Sequence, residues 1–305
     1  MTRPTLVITG ANGFVGGHVA ALARERGLTV WAVGREAEPS DAVASSCDDY
    51  FCADLYRRWA VPAGASAIVH LAGLAAVGPS FAQPQRYIDI NSGIMTRMCE
   101  ALLEQSHRPR VVVVSTGAVY APPHGDEPLT ENAKTVPTSP YAVAKLTVES
   151  QAAYYAGRGL DTVIARPFNH IGPGQSRGFL VPDLTELLID LTKDTPLHAG
   201  NLSAARDFTD VRDVARAYLD MALAERHQHA IYNVASGRPH TGFDILAAIA
   251  EELGVNVPDV QIDPARLRPN DPARITGSAQ RLTSEYGWTP VIDWRQSITD
   301  YLAYR

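Results

Sequence analysis

The feature that most constrains the fold lies at the start of the chain. Leu6-Val7-Ile8-Thr9 is apolar and β-branched, breaks into Gly10-Ala11-Asn12-Gly13-Phe14-Val15-Gly16-Gly17, and gives way to helical periodicity from His18 to Arg26. A strand, a glycine turn and a helix in that order form the opening half of a βαβ unit. Glycine at 10, 13 and 16 lets backbone approach a ligand closely, and a helix N-terminus offers partial positive charge to a phosphate. The spacing is G-x-x-G-x-x-G rather than G-x-G-x-x-G, so its context between strand and helix is what marks it as a dinucleotide loop rather than a plain tight turn. Gly10, Asn12, Gly13, Phe14, Val15 and Gly16 are the expected contacts.

Further strands are expected at 29–33, 50–52, 67–71, 110–114 and 162–165, separated by mostly helical stretches. Such alternation predicts a parallel sheet covered on both faces. Between 83 and 106 the positions Tyr87, Ile90, Ile94, Met98 and Leu102 keep helical spacing, as do Ala142, Leu146 and Ala153 further on. After Arg166-Pro167 the texture changes, with Gly172-Pro173-Gly174 and Gly178 ahead of a helix from 181 to 191. The fold class is therefore α/β, a Rossmann-type doubly wound parallel sheet with a smaller α/β lobe. Residues 1–166 with about 205–237 are assigned to the dinucleotide-binding domain, and 167–204 with 238–305 to the smaller lobe.

A formal charge of −6 and a pI near 5.8, with no basic run, argue against nucleic-acid binding and for a small-molecule partner. The three cysteines, Cys47, Cys52 and Cys99, lack metal-ligand spacing, so no metal site is expected and free thiols in a reducing cytoplasm suit them. Apolar stretches are too short for a membrane span and no leader pattern opens the chain, which predicts a soluble, cytoplasmic protein.

Chemistry enters at Tyr141-Ala142-Val143-Ala144-Lys145. The chain has only three lysines, Lys134, Lys145 and Lys193, among 27 basic residues, so a lysine four positions after a tyrosine is unusual. On a helix the two share a face, where an ammonium is expected to lower the pKa of the phenol and ready it to move a proton. A surface Tyr-Lys pair on an amphipathic helix is the plain alternative.

The glycine loop and the Tyr141-x-x-x-Lys145 pair together resemble the short-chain dehydrogenase/reductase superfamily, in its extended, nucleotide-sugar branch, along nearly the whole chain. The resemblance implies that Tyr141 is general acid or base, that Lys145 tunes it and holds the nicotinamide ribose, and that Thr116, after the strand Val111-Val112-Val113-Val114, completes the catalytic set. It implies dinucleotide contacts at Asp54 and Leu55, at Leu71, Ala72 and Gly73, and at Pro167, with Tyr141 and Lys145. It also implies that the helices 83–106 and following Tyr141 pair in a homodimer. Related 4,6-dehydratases carry carboxylates after the catalytic Thr, where this chain has Gly117 and Ala118, so elimination lacks a proton carrier. Arg35, after the second strand, replaces the usual acidic residue. A guanidinium suits a 2′-phosphate, which makes NADP(H) the preferred cofactor, with NAD(H) held through Glu36 as the alternative. Ala121 replaces the glycine that usually follows Val119-Tyr120.

Residues 165–175, 200–213 and 268–272 resemble the GDP-4-keto-6-deoxy-D-mannose reductases. That resemblance implies a GDP-sugar partner, with Asn169 on the phosphates or sugar and Arg206 and Arg268 clamping the pyrophosphate; Ser80, Thr116 and Val181 are the other substrate contacts. Asn169 capping a turn and Arg206 paired with Asp207 or Asp210 are the plain alternatives. The expected reaction is NADPH-dependent reduction of the 4-keto group of GDP-4-keto-6-deoxy-D-mannose to a GDP-6-deoxyhexose such as GDP-D-rhamnose. An NDP-hexose 4-epimerase with tightly bound NAD is the rival enzyme, and a noncatalytic nucleotide sensor is a third reading that an intact Thr116, Tyr141 and Lys145 disfavour.

Overall fold

The structure is a computed structural model that describes residues 3–123, 125–191, 196–264 and 272–305. The strands are β1 (Thr5–Thr9), β2 (Thr29–Gly34), β3 (Asp49–Cys52), β4 (Ala67–His70), β5 (Arg110–Val114) and β6 (Thr162–Pro167), followed by β7 (Asn169–Ile171), β8 (Leu197–Ala199), β9 (Ala205–Asp210), β10 (Ile231–Val234), β11 (Pro239–Thr241), β12 (Val260–Ile262) and β13 (Arg274–Ile275). The helices are α1 (Phe14–Glu25), α2 (Asp41–Ala44), α3 (Val77–Ala82), α4 (Pro84–Leu103) and α5 (Pro140–Gly157), then α6 (Leu180–Ile189), α7 (Val211–Leu223), α8 (Gly242–Leu253), α9 (Gln280–Tyr286) and α10 (Trp294–Tyr304).

Seven strands form one parallel sheet in the order β3-β2-β1-β4-β5-β6-β10. The direction of winding reverses between β1 and β4, which opens a crevice at the carboxyl ends of those strands. Both faces are buried, which is why the strands read as unbroken apolar runs. Leu6, Ile8, Val30, Val112 and Val163 pack beneath α1 and α7, while Val7, Val33, Ile68, Val111 and Val113 pack beneath α4 and α5. At roughly 25 cal/mol per Å² of apolar surface removed from water, these two layers are the main force holding the sheet.

The smaller lobe is built from a four-stranded sheet in which β9 pairs with β7, β11 and β13, and from the pair β8–β12. Its core joins Leu184 and Leu188 of α6, Ile245 and Ile249 of α8, and Ile298 and Tyr301 of α10.

Three details differ from the sequence reading. Helix α1 starts at Phe14, a turn before His18, because Gly13, in an extended conformation, is its N-cap. The return to the large sheet begins at α7 rather than at about residue 205, since β9 pairs inside the small sheet, and Leu282 and Trp288 also join the core beneath the large sheet. On α5 the buried residues are Tyr141, Ala142, Ala144, Lys145, Val148, Glu149, Ala152 and Tyr155, so of the spaced set Ala142, Leu146 and Ala153 the first is buried, the second half-buried and the third exposed.

Two glycines in the first loop are required by geometry. Gly10 has φ +69°, and a Cβ there would stand 2.9 Å from the Ala72 Cα and N atoms. A Cβ on Gly16 would lie 2.2 Å from the carbonyl oxygen of Ala11, so α1 could not close onto the loop. Gly16→Ala is expected to cost about 2 kcal/mol or more of unfolding free energy by overpacking, measured by denaturant titration; an unchanged midpoint would refute this reading of the loop.

Candidate active site

A cleft of about 1650 Å³ runs along the carboxyl ends of β1, β4, β5 and β6 and is walled on its far side by the smaller lobe. Three successive turns of α5 meet the end of β5 at its centre. Ser139 caps α5, its hydroxyl accepting from Ala142 N, and Pro140 occupies the first turn, where a missing N–H costs nothing. Tyr141 follows at once and is 7% exposed, packed with Tyr87 and Ala144. Four positions on, Lys145 is 8% exposed and its Nζ donates to the Val114 carbonyl at 2.8 Å. Four further on, Glu149 is buried and accepts from the hydroxyl of Ser115.

Thr116 lies between these anchors. Its Oγ1 accepts from Ala118 N at 3.1 Å, and its hydroxyl lies close enough to the Tyr141 phenol to favour the phenolate. Burial pushes the Tyr141 phenol up to about 12; the Thr116 hydroxyl pulls the other way and does not overcome it. The expected lowering by Lys145 is therefore not what the structure shows. Its Nζ stands 6.0 Å from the Tyr141 ring centroid and spends a hydrogen bond on Val114. Lys145 is itself brought down to about 8 by burial, with the Glu149 carboxylate opposing that fall. At neutral pH the site thus presents a protonated phenol beside an ammonium.

Behind these groups is a polar network that the sequence reading did not assemble. Arg166, at the end of β6, forks onto Glu149 through Nε at 2.9 Å and Nη2 at 2.6 Å, and its guanidinium stacks 4.9 Å from the Tyr120 ring. The Tyr120 hydroxyl donates to Asn233 at 2.6 Å, and the Asn233 backbone N–H to Glu131 at 2.8 Å. On β4, His70 is buried and held down to about 3 by burial and by Lys145, so it is neutral. Its Nδ1 is 2.8 Å from Thr9 Oγ1, which also accepts from Ala72 N at 3.2 Å.

The dinucleotide half gathers every residue assigned to it. Gly10, Asn12, Gly13, Phe14, Val15 and Gly16 line the cleft; so do Arg35, Asp54 and Leu55, and Leu71, Ala72, Gly73 and Pro167. A dinucleotide fits this cradle. No side chain caps α1 and no acidic residue sits in its first turn, which leaves the positive end of the helix to an anion. Asn12 holds the region after β2, its Nδ2 donating to Glu36 at 3.1 Å while its Oδ1 accepts from Ser40 N at 2.9 Å. Asp54 also accepts from Tyr56 N at 3.1 Å, the capping role that Asp often fills before a turn. Sequence reasoning misses Asn91 of α4: its amide brackets Leu74, accepting from N at 2.8 Å and donating to O at 3.3 Å, and so fixes the Gly73 turn. A buried polar residue one turn after Tyr87, on the apolar stripe of that helix, is the available signal.

The substrate half is only partly as expected. Thr116, Asn169 and Arg206 line the cleft. Arg206 donates from Nη1 to the Ala205 carbonyl at 2.8 Å, while Asp207 accepts from Ser236 N, Gly237 N and Gly277 N, and Asp210 from Arg212. Two residues lie outside the cleft lining. Ser80 is fully buried with its hydroxyl donating to Val77 O at 2.6 Å, and Val181, in the first turn of α6, is fully buried in the small-lobe core. Arg268 lies outside the described residues. The two halves touch through Phe14, whose ring lies 5.8 Å from that of His170 at an interplanar angle of 9°, and through His18, whose Nε2 is 2.9 Å from Pro173 O.

Among the described residues no group of three or more His, Cys, Asp or Glu could hold a metal ion, and no helix is long and apolar enough to cross a membrane. The three cysteines are free thiols.

Comparison with known proteins agrees with this geometry. The chain is 33% identical over 304 residues to the GDP-6-deoxy-D-mannose reductase of Pseudomonas aeruginosa, covering 98% of this chain and 96% of that protein. It is 28% identical over 320 residues to the UDP-glucose 4-epimerase of Corynebacterium glutamicum, covering 98% and 95%. The structure of the Thermus thermophilus UDP-glucose 4-epimerase in complex with NAD superposes with a TM-score of 0.84 at 27% identity, covering 98% of each chain. Residues 6–235 match the NAD dependent epimerase/dehydratase family, and with that match, the Rossmann-type sheet and the nucleotide cleft, the chain belongs to this family as an NAD(P)-dependent oxidoreductase acting on nucleotide sugars.

Proposed function

We propose that this enzyme reduces the 4-keto group of GDP-4-keto-6-deoxy-D-mannose to a GDP-6-deoxyhexose such as GDP-D-rhamnose, with NADPH as reductant. The observation that carries the reading is the protonated Tyr141 phenol, buried beside Lys145 and Thr116 in a chain that a GDP-6-deoxy-D-mannose reductase matches over 98% of its length. Reduction of a ketone needs a proton at the oxygen as hydride reaches the carbon, and a phenol held in its acid form supplies one. Tyr141 donates that proton, Thr116 hydrogen-bonds the same oxygen, and Lys145 places positive charge near the developing alkoxide. When bound, the dinucleotide supplies the hydride. Gly117 and Ala118 offer no carboxylate, which disfavours elimination.

For the cofactor, Arg35 lies on the cleft at the end of β2, where its guanidinium can meet a 2′-phosphate. Glu36 stands beside it, tied to Asn12, and is the residue through which NAD(H) would be held instead. The large-sheet lobe, with α7 and β10, is assigned to the dinucleotide, and the smaller lobe, through Asn169 and Arg206, to the nucleotide sugar. Val143 and Tyr154 project outward eleven positions apart on α5, at 38% and 60% exposure, and support a homodimer across α4 and α5. The epimerase reading stays in view because UDP-glucose 4-epimerases also match along the chain.

Three measurements check these assignments. Mixing the protein with NADPH and the 4-keto sugar nucleotide is expected to consume one reductant per sugar reduced; turnover without added reductant, on protein that purifies with bound nucleotide, would favour the epimerase. Tyr141→Phe is expected to lower kcat by about 10²-fold or more with NADPH affinity nearly intact, and the ultraviolet ionisation it removes should lie well above the usual tyrosine value of about 10. Arg35→Ser should weaken NADPH binding about tenfold and leave NADH binding little changed, read by nucleotide fluorescence; equal losses for both would hand the ribose to Glu36.

A further inference from the structure

Glu149 is not among the residues that line the cleft, yet its buried carboxylate accepts three hydrogen bonds directly behind the reacting groups. It lies on α5 at the third step of the series Tyr141, Lys145, Glu149, so all three point at the end of β5. All three meet one short segment, residues 114–116: Tyr141 lies beside Thr116, Lys145 donates to the Val114 carbonyl, and Glu149 accepts from the Ser115 hydroxyl. Arg166 completes the arrangement from β6 with a two-pronged bond to the same carboxylate. The ion pair is almost dry, at 5% and 7% side-chain exposure. A dry pair of this kind is rarely a source of net stability, since hydrophobic residues of similar volume often serve as well, so its geometry calls for another account.

We propose that Glu149 is a positioning residue for the Tyr141–Lys145 pair: clamped by Arg166 and Ser115, it fixes the register of α5 against the end of β5 on which Lys145 reaches Val114 and Tyr141 reaches Thr116. The inference rests on the assignment of Tyr141, Lys145 and Thr116 as the reacting groups. The same carboxylate acts on charge. It is the group that opposes the loss of the Lys145 proton on burial, and therefore extends to higher pH the range in which the lysine is cationic. The other groups around the lysine do not take over this work. Tyr141 on α5 is a neutral phenol, His70 on β4 is a neutral imidazole, Val114, Ser115 and Thr116 at the end of β5 carry no charge, and Arg166 on β6 is a cation spent on Glu149. Tyr87 of α4 and Tyr218 of α7, both near Tyr141, are phenols that burial keeps protonated.

With only three lysines in the chain, lysine labelled with ¹³C at Cε gives three signals, and Lys145 is assigned by its loss in Lys145→Arg. In Glu149→Gln the Lys145 titration is expected to fall by about one pH unit, and the alkaline limb of kcat/KM to move down with it. In the same variant kcat should drop on the order of tenfold while KM for the sugar nucleotide changes less than about twofold. Glu149→Asp should recover part of both effects. Because Glu149→Gln strands the Arg166 charge and can unfold the protein, the double variant Glu149→Gln/Arg166→Met removes the pair together. If that variant is folded by its thermal midpoint and its Lys145 titration and pH profile match the parent, the role is structural and the proposal is overturned. A shifted titration in the folded double variant supports it. Failure of the reaction assignment shows separately, as a Tyr141→Phe variant that still turns over, and the lysine titration reports on Glu149 whichever way that falls.

Discussion

The bond from the Lys145 ammonium to the Val114 carbonyl is the joint on which the active site depends. It ties the middle of α5 to the last residue of β5 and does so with a charge that burial would otherwise strip away. Every neighbouring feature is arranged around that joint. Ser139 and Pro140 start the helix so that Tyr141 falls in its first turn, and the Glu149–Arg166 pair anchors it two turns on. The large sheet supplies the rigidity, because its strands are buried on both faces and their ends cannot drift relative to α5 without opening two cores.

The electrostatics of the site follow from dryness rather than from the pairing of charges. A lysine four residues from a tyrosine can lower the phenol in water-like surroundings, but here both groups are shut away from solvent, and the cost of creating a phenolate exceeds what an ammonium 6.0 Å from the ring centroid returns. The result is a proton donor at rest. At rest the phenol holds its proton, so the resting site offers an acid rather than a base.

Much of this is legible in the residues. The β1–loop–α1 unit, the large-sheet strands and the Tyr141–Lys145 pair each carry a local signal: an apolar run, spaced glycines, a helical repeat. What the sequence hides depends on distance in the chain. Glu149 and Arg166 meet across 17 positions and Tyr120 and Asn233 across 113, and no periodicity links them. The sign of the Tyr141 shift escapes the sequence because spacing shows who is near but not how much water is left. Ser80 and Val181 rest on likeness alone, without a local pattern, and both turn out to serve the packing of α3 and α6. The β9 segment reads as part of the large sheet because Arg206-Asp207-Phe208-Thr209 leads into a helix that does belong there; a strand that belongs to one lobe and hands on to a helix of the other leaves no mark in composition.

The contact of Phe14 with His170, seconded by His18 on the Pro173 carbonyl, joins the two halves of the cleft. Phe14 opens the helix that greets the pyrophosphate, and His170 stands next to Asn169 on the strand that faces the sugar. The two walls of the cleft are therefore not independent: a substitution at Phe14 or at His170 removes a contact that belongs to both, and its effect is expected on either side of the cleft.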